Sequence, residues 1–282
     1  MSDPSRFIVM GVVNVTPDSF SDGGAFLDAG AAIAHGLSLE AEGAAILDVG
    51  GESTRPGAEP VGASEELRRV VPVIEGLLDS GVRSRISIDT SKAVVVEAAL
   101  DAGASLVNDV TAFRGDPAMA ELVASRDVDC CLMHMLGSPR TMQDDPRYDD
   151  VVDDVARFLS ERMAFAVAAG VAEERIMLDP GIGFGKTVEH NLELLRRLDR
   201  IVALGRPVVI GTSRKSFLGR LTGRAVDDRL AGTIATNVLA FERGARVFRV
   251  HDVGPVVDAL TVADATVTPQ WIPTTTPKSS TT

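Results

Sequence analysis

The sequence has little cysteine, little positive charge and no long apolar run. Each shortage removes a class of protein. There are 2 cysteines in 282 residues, and they are neighbours, Cys130 and Cys131. On a strand, adjacent side chains point to opposite faces, so the pair makes neither a structural disulfide nor, lacking CxxC spacing, a zinc site. They read as small apolar filling. Acidic residues outnumber basic ones, 40 to 28, for a formal net charge of -12. Non-specific nucleic-acid binding needs a basic surface to displace counterions, so that class is excluded. A phosphorylated small molecule is not, because a few local cations can serve one site. The first apolar run, Phe7 to Val13, ends at Asn14, and no small-residue cleavage site follows it. It is too short to span a membrane, and the expected location is the cytoplasm. No GxGxxG follows that run. Of the 4 histidines, His35 and His190 lie on helical patterns without a ligand partner one turn on, and read as surface or packing residues.

What the sequence does have is 45% apolar residues, a globular composition, arranged in a repeat. A short β-branched run, a polar loop and an amphipathic helix recur along the chain. The runs are Phe7–Val13, Ala44–Val49, Arg85–Ile88, Ser105–Val107, Val128–Met133, Arg175–Leu178, Pro207–Ile210 and Ala245–Val250. Each is nearly continuous in apolarity, as parallel strands buried on both faces require. Helical stripes lie between them. One carries Leu67, Val70, Val71, Ile74, Leu77 and Leu78, and another Val151, Val152, Val155, Phe158, Leu159 and Met163. Weaker helices are expected over Ala29–Glu42, Ala93–Leu100, Pro117–Ser125, Glu189–Val202, Asp228–Glu242 and Gly254–Val262. This alternation predicts one α/β domain over residues 1–267, a closed (β/α)8 TIM barrel rather than an open doubly wound sheet. The loops after the first two strands, Asn14 to Asp28 and Gly50 to Gly62, are long and rich in Gly, Pro and Ser, the composition of lids. The end of the chain, residues 268–282 with the run PTTTPKSSTT from Pro273, is expected to be disordered.

In such a barrel, chemistry sits where strands end. Those positions hold Asn14, Asp48, Asp89, Asn108, Asp109, His134, Asp179, Ser213, Arg214, Lys215, Arg249 and His251. The cations follow strands seven and eight, the usual phosphate corner of this fold. Arg offers phosphate a bidentate fork and Lys a point charge. The alternative for Arg214 and Arg249 is pairing with nearby acids. Asp89, Asn108 and Asp179 suit another partner: a buried carboxylate matches two adjacent N–H donors, as on the amino-pyrimidinone edge of a pterin or guanine. The segment Gly181-Ile-Gly-Phe-Gly-Lys186-Thr187 looks like a phosphate-binding P-loop but leaves three residues between its outer glycines where four are needed, after a proline without an N–H. It reads as a glycine-thinned wall beside Asp179, with Phe184 offering an aromatic face. His134, between Met133 and Met135, faces either the pocket or the rim.

Taken in order, GVVNVTPDSFSDGG at 11–24, DVGGESTRPGA at 48–58, SIDTSK at 87–92, VNDVTA at 107–112, LMH at 132–134, LDPGIGFGKT at 178–187, GTSRKSFLG at 211–219 and RVHDV at 249–253 resemble the dihydropteroate synthases, pterin-binding enzymes of folate biosynthesis. The resemblance runs from Phe7 to about Val262, one motif per strand end. It implies that 6-hydroxymethyl-dihydropterin pyrophosphate loses pyrophosphate to the amine of p-aminobenzoate, with Mg²⁺ as cofactor. It implies that Asn14 is the one protein ligand of Mg²⁺, and that Asp89, Asn108, Asp179 and Lys215 hold the pterin. Arg249 would lie against the pterin and, with His251, hold the pyrophosphate. Asp22 falls in the first lid loop, Thr54 and Arg55 in the second, and Ser213, Phe184 and Pro56 line the p-aminobenzoate pocket. Asp22, Arg55, Lys215 and Arg249 are then the catalytic set, and the chain a sulfonamide target that forms homodimers. Two other readings are a methyltetrahydrofolate-dependent methyltransferase and a non-catalytic pterin-binding paralogue. The first would not need Thr54-Arg55-Pro56 or the pair Arg249 and His251, and the second would not need Asn14, Asp22 and Arg55 together.

Overall fold

The computed structural model describes residues 7–15, 25–54 and 57–267. Asp22, Arg55, Pro56, nearly all of the first long loop and the tail from residue 268 lie outside the described residues. The strands are β1 (Ile8–Asn14), β2 (Ile46–Gly50), β3 (Arg85–Asp89), β4 (Leu106–Asp109), β5 (Asp129–Met133), β6 (Ile176–Asp179), β7 (Val209–Ile210) and β8 (Val247–Val250). They pair in parallel in the order β6-β5-β4-β3-β2-β1-β8-β7. A bridge between Leu178 and Val208, with Leu178 N–H donating to Pro207 O at 3.0 Å, joins the two outer strands. The sheet is thereby wrapped into a (β/α)8 barrel.

Strand parity divides the core in two. Met10, Ile46, Leu106, Cys131, Val209 and Val247 point inward and pack on one another, filling the barrel's interior. Their sequence neighbours, among them Val9, Leu47, Val107, Cys130, Ile210 and Phe248, point outward into the larger core beneath the helices. The two cysteines are both buried and free, one in each core.

The helices are α1 (Ala25–Ala41), α2 (Ala63–Asp79), α3 (Ala93–Asp101), α4 (Met119–Arg126), α5 (Val151–Ala168), α6 (Val188–Arg196), α7 (Asp199–Val202), α8 (Ser216–Thr222), α9 (Leu230–Glu242) and α10 (Val253–Val267). Three details differ from the sequence reading. The buried stripe of α2 is Glu66, Val70, Val73, Ile74 and Leu77, so it is rotated away from Leu78, which is exposed. The helix expected over Glu189–Val202 breaks at Arg197 (φ -108, ψ 33), whose guanidinium turns out to Asp150 at 2.7 Å while Leu198 is buried. The loop after β7 carries the additional short helix α8. Its central Gly219 masked it in the sequence, and the Arg229 guanidinium packs where a Cβ at that position would lie.

Candidate active site

The same inward parity that packs Ile46, Leu106, Met177 and Val247 continues two residues later to Asp48, Asn108, Asp179 and Arg249. Asn14 shares it, four residues past Met10. Apolar layers therefore fill the lower barrel, and a polar layer closes it at the C-terminal ends of the strands. Asp48 is the hub of that layer. It is fully buried, and its Oδ1 accepts from Ser87 Oγ at 2.6 Å. Its Oδ2 accepts from Asn108 Nδ2 at 3.0 Å and from Arg249 Nε at 2.6 Å. Arg249 reaches on with Nη2 to Asp89 Oδ2 at 2.7 Å. The arginine expected to meet phosphate is thus held, without ligand, between two carboxylates on neighbouring strands. Arg214 is also paired, through Nε and Nη2, with Asp252 at 3.0 and 2.6 Å.

Burial raises the Asp89 carboxyl against the pull of Arg249, and Asp48, Glu66 and Asp109 push it the same way as burial. Asp179 is raised by burial too, opposed by the Gly181 N–H, Lys215, Arg249 and Lys186. Its Oδ1 accepts from Gly181 N–H at 2.7 Å, leaving Oδ2 to face a ligand. Asp109 has the opposite parity and serves its own loop: it accepts from Thr111 N–H and Oγ1 at 2.7 Å and from Phe113 N–H at 2.8 Å.

The segment after β6 forms a wall. Gly181, Gly183 and Gly185 all have positive φ (67, 84 and 65), and a Cβ on Gly181 would overlap the His134 carbonyl oxygen. Phe184 presents its ring to Lys215, whose Nζ lies 3.9 Å from the ring centroid, a cation–π contact. Behind the wall, Lys186 is buried. Its Nζ donates to Phe184 O at 3.0 Å and meets His134 Nδ1 at 2.9 Å. Burial lowers its pKa to about 7, with Asp179 opposing and Lys215 adding to the fall. His134 is held near pKa 2 (about 2) by burial, then by Lys186 and Arg114, so it stands as a neutral acceptor behind the wall. His190 caps α6 in a reciprocal pair with Thr187, and His35 is exposed. Across the mouth, Ser213 Oγ accepts from His251 N–H at 3.1 Å and lies 3.0 Å from His251 Nδ1. Thr54 and Ser53 form one wall of a cavity of about 330 Å³, with Asp89, Thr90, Val110 and Met135 opposite. A larger open groove of about 860 Å³ lies past His134 beside Tyr148, Phe158 and His190. Of the strand-end candidates it touches His134 alone, so the polar layer, not groove size, marks the site.

Among the sequence candidates, Asp89, Asn108 and Arg249 meet in one network through Asp48, while Lys215 and Phe184 form a second contact and Ser213 and His251 a third. Asp48 was visible only as a strand end, though its place two residues past inward Ile46 marks it as part of the layer. Lys186 was passed over along with the P-loop likeness.

The chain matches the pterin binding enzyme family over residues 10–251. It belongs to that family. Within it, the chain is 45% identical to the dihydropteroate synthase of Escherichia coli K12 over 265 residues, 94% of this chain and 93% of that one. It is 49% identical to that of Mycobacterium leprae over 264 residues, 91% and 92% of the two chains. Among solved structures, a Xanthomonas albilineans dihydropteroate synthase with 4-aminobenzoic acid superposes with TM-score 0.89 at 51% identity, covering 94% and 95%. The fold of this chain is therefore that of a family of pterin-binding transferases. No helix among the described residues is long and apolar enough to cross a membrane.

Proposed function

We propose that the chain joins 6-hydroxymethyl-7,8-dihydropterin pyrophosphate to p-aminobenzoate, giving 7,8-dihydropteroate and pyrophosphate, a transfer of an alkyl group other than methyl. The C–O bond to pyrophosphate breaks, the C–N bond to the amine forms, and the amine gives up a proton. The observation that carries this reading is the polar layer: Asp89, Asn108 and Asp179 come together at the strand ends, with Lys215 and Phe184 beside them. Relatives support it. One Xanthomonas albilineans structure, 48% identical, was solved in complex with 7,8-dihydropteroate, and another with 4-aminobenzoic acid.

In this reading Asp179 and Asn108 pair with the pterin's adjacent donors and acceptor, and the buried setting makes each unpaired group expensive, which gives selectivity. Arg249 opposes the burial that raises the Asp89 carboxyl, and its guanidinium lies beside the pterin. Arg249 and His251 receive the departing anion, together with Lys215 and with Arg55 of the second loop, while Ser213 lines the p-aminobenzoate pocket and Asp22 belongs to the first lid loop. Charge is stabilised where it develops, and the loops exclude water from the pterin cation. Among the described residues, Asn14 is the proposed protein ligand of Mg²⁺. Among the described residues no cluster of three His, Cys, Asp or Glu side chains could hold a metal ion. Asn14 would hold it by a single amide oxygen, with pyrophosphate oxygens and water as the other ligands. Bound there, Mg²⁺ would neutralise charge on the leaving group.

We also propose a homodimer formed through helices on one side of the barrel. Leu221, Val226, Leu230, Leu239, Val262 and Val267, all in the last third of the chain, are exposed large apolar residues that such a contact would cover. The cytoplasm is its proposed place, in keeping with two free thiols. The reaction is tested by following pyrophosphate release from the pterin substrate. Release that depends on p-aminobenzoate supports the reading. Pterin binding without release would make the chain a non-catalytic paralogue.

A further inference from the structure

The neck of the loop after β2 is held by charges that the proposed reaction does not use. Glu66 of α2 is fully buried, and Lys92, at the start of α3, donates to its Oε2 at 2.6 Å. The same ammonium donates to Oε2 of Glu52, two residues past β2. The other oxygen of Glu52, Oε1, accepts from Val61 N–H at 3.2 Å. One carboxylate therefore ties the outgoing and returning legs of the loop to each other and to the body of the barrel. Arg69 adds a tie from Nη1 to Gly51 O at 2.8 Å.

Stability does not explain the arrangement. Burying a carboxylate–ammonium pair is often no better than burying apolar groups of the same volume. Here Glu66 Oε1 is buried without a hydrogen-bond partner as well. Burial alone would lower the Lys92 pKa, yet hydrogen bonds to Glu52 and Glu66 raise it, so the ammonium keeps its charge and its two partners. What the triad does is fix position. Ser53 and Thr54 follow Glu52 directly, and all three line one cavity together with Asp89 and Thr90. The pterin floor has its own supports, because Asp48, Asn108 and Arg249 are bonded to one another among the strands.

We propose that Glu52 is a positioning residue: by joining Val61 N–H to Lys92 it sets where Thr54 stands, and so shapes the p-aminobenzoate side of the site while leaving the pterin floor alone. The inference rests on the reaction proposed above. Wild-type pyrophosphate release dependent on p-aminobenzoate is therefore measured first, and its failure would remove the reaction before any variant is made. The variants are Glu52→Gln, which loses the charge toward Lys92 but keeps an acceptor for Val61, and Glu52→Ala, which loses both. Both leave Lys92 with Glu66. Misplacement of a binding group by about 1 Å can change rates by up to about a hundredfold. The expected result is a KM for p-aminobenzoate raised at least about tenfold in Glu52→Ala and less in Glu52→Gln. Calorimetric affinity for a pterin lacking the pyrophosphate should stay within about twofold, with near-wild-type Tm. An unchanged KM for p-aminobenzoate in Glu52→Ala overturns the proposal. So does a loss of pterin affinity in step with that KM, which would make Glu52 a general support of the fold.

Discussion

Asp179 and Lys186 show how differently two buried charges can serve one site. Asp179 ends β6 with one oxygen bonded to Gly181 N–H, and the pterin is its proposed partner. Asp179→Asn replaces an acceptor with a donor, and pterin affinity should fall by about 1.5–3 kcal/mol, the range for hydrogen bonds to charged groups. Calorimetric titration checks this, and unchanged affinity would take Asp179 out of the site. Lys186 faces away, donating to the Phe184 carbonyl behind the wall. Its folded pKa of about 7 lies below the ordinary lysine value. The unfolded chain thus binds more protons than the folded one above pH 7, and this group makes stability rise with pH from about 7 to about 10. Below pH 7 both states are protonated and its full penalty is present. Lys186→Met should flatten that rise. The measurement is the denaturant midpoint of both proteins at pH 7 and pH 9. Equal slopes would mean that Lys186 is ordinarily charged in the folded state.

At the scale of elements, the strands were legible in the sequence because continuous β-branched runs have few other places to go, and all eight fall within the expected segments to within a residue or two. Their ends were legible too, since a polar residue closing an apolar run stands out. The helices were less so. Periodicity alone placed the α2 stripe on Leu78, because it could not weigh the buried Glu66 that Lys92 neutralises. Nor could it show α8, whose seven residues are too few for a period. Within the site, no sequence rule revealed that Arg249 would spend its donors on Asp48 and Asp89, since that pairing joins strands two, three and eight across the barrel. The wall after β6 was read correctly as glycine-thinned, and its geometry supplies a prediction. Gly181 has φ 67, and a Cβ there would overlap the carbonyl oxygen of His134, which is backbone and cannot swing aside. Gly181→Ala should destabilise the fold by more than about 1 kcal/mol, the scale on which a compatible site would have been stabilised. It should also weaken pterin binding, because Gly181 N–H holds Asp179. A melting curve and a pterin titration that both match wild type would show that the wall can shift freely.

The whole molecule carries a formal net charge of -12, yet both of its proposed substrates carry anionic groups. Its mouth does not reverse that field unaided. Three buried carboxylates, Asp48, Asp89 and Asp179, line it, and Arg249 is already shared between two of them. A second anion such as p-aminobenzoate should gain little from entering such a mouth alone. The loops after β1 and β2 add a further cost, because their Gly, Ser and Pro content offers little apolar area to offset the backbone entropy of closing. The Glu52 tie holds the neck of the second loop at Val61 and Lys92. Mg²⁺ with pyrophosphate is the proposed anchor, through Asn14, Arg55, Lys215 and His251, and it would bring cationic charge to the entrance. Binding of p-aminobenzoate should therefore be coupled positively to Mg²⁺-pyrophosphate, by about 1–3 kcal/mol. A sulfonamide, which resembles p-aminobenzoate, should behave in the same way. Titrating either ligand with and without Mg²⁺-pyrophosphate measures the coupling directly. By linkage, p-aminobenzoate should tighten pyrophosphate binding by the same factor, which a reverse titration checks independently. Equal affinities in all arms would mean that the second pocket is formed before any anion arrives, and the loops would then have no part in the order of binding.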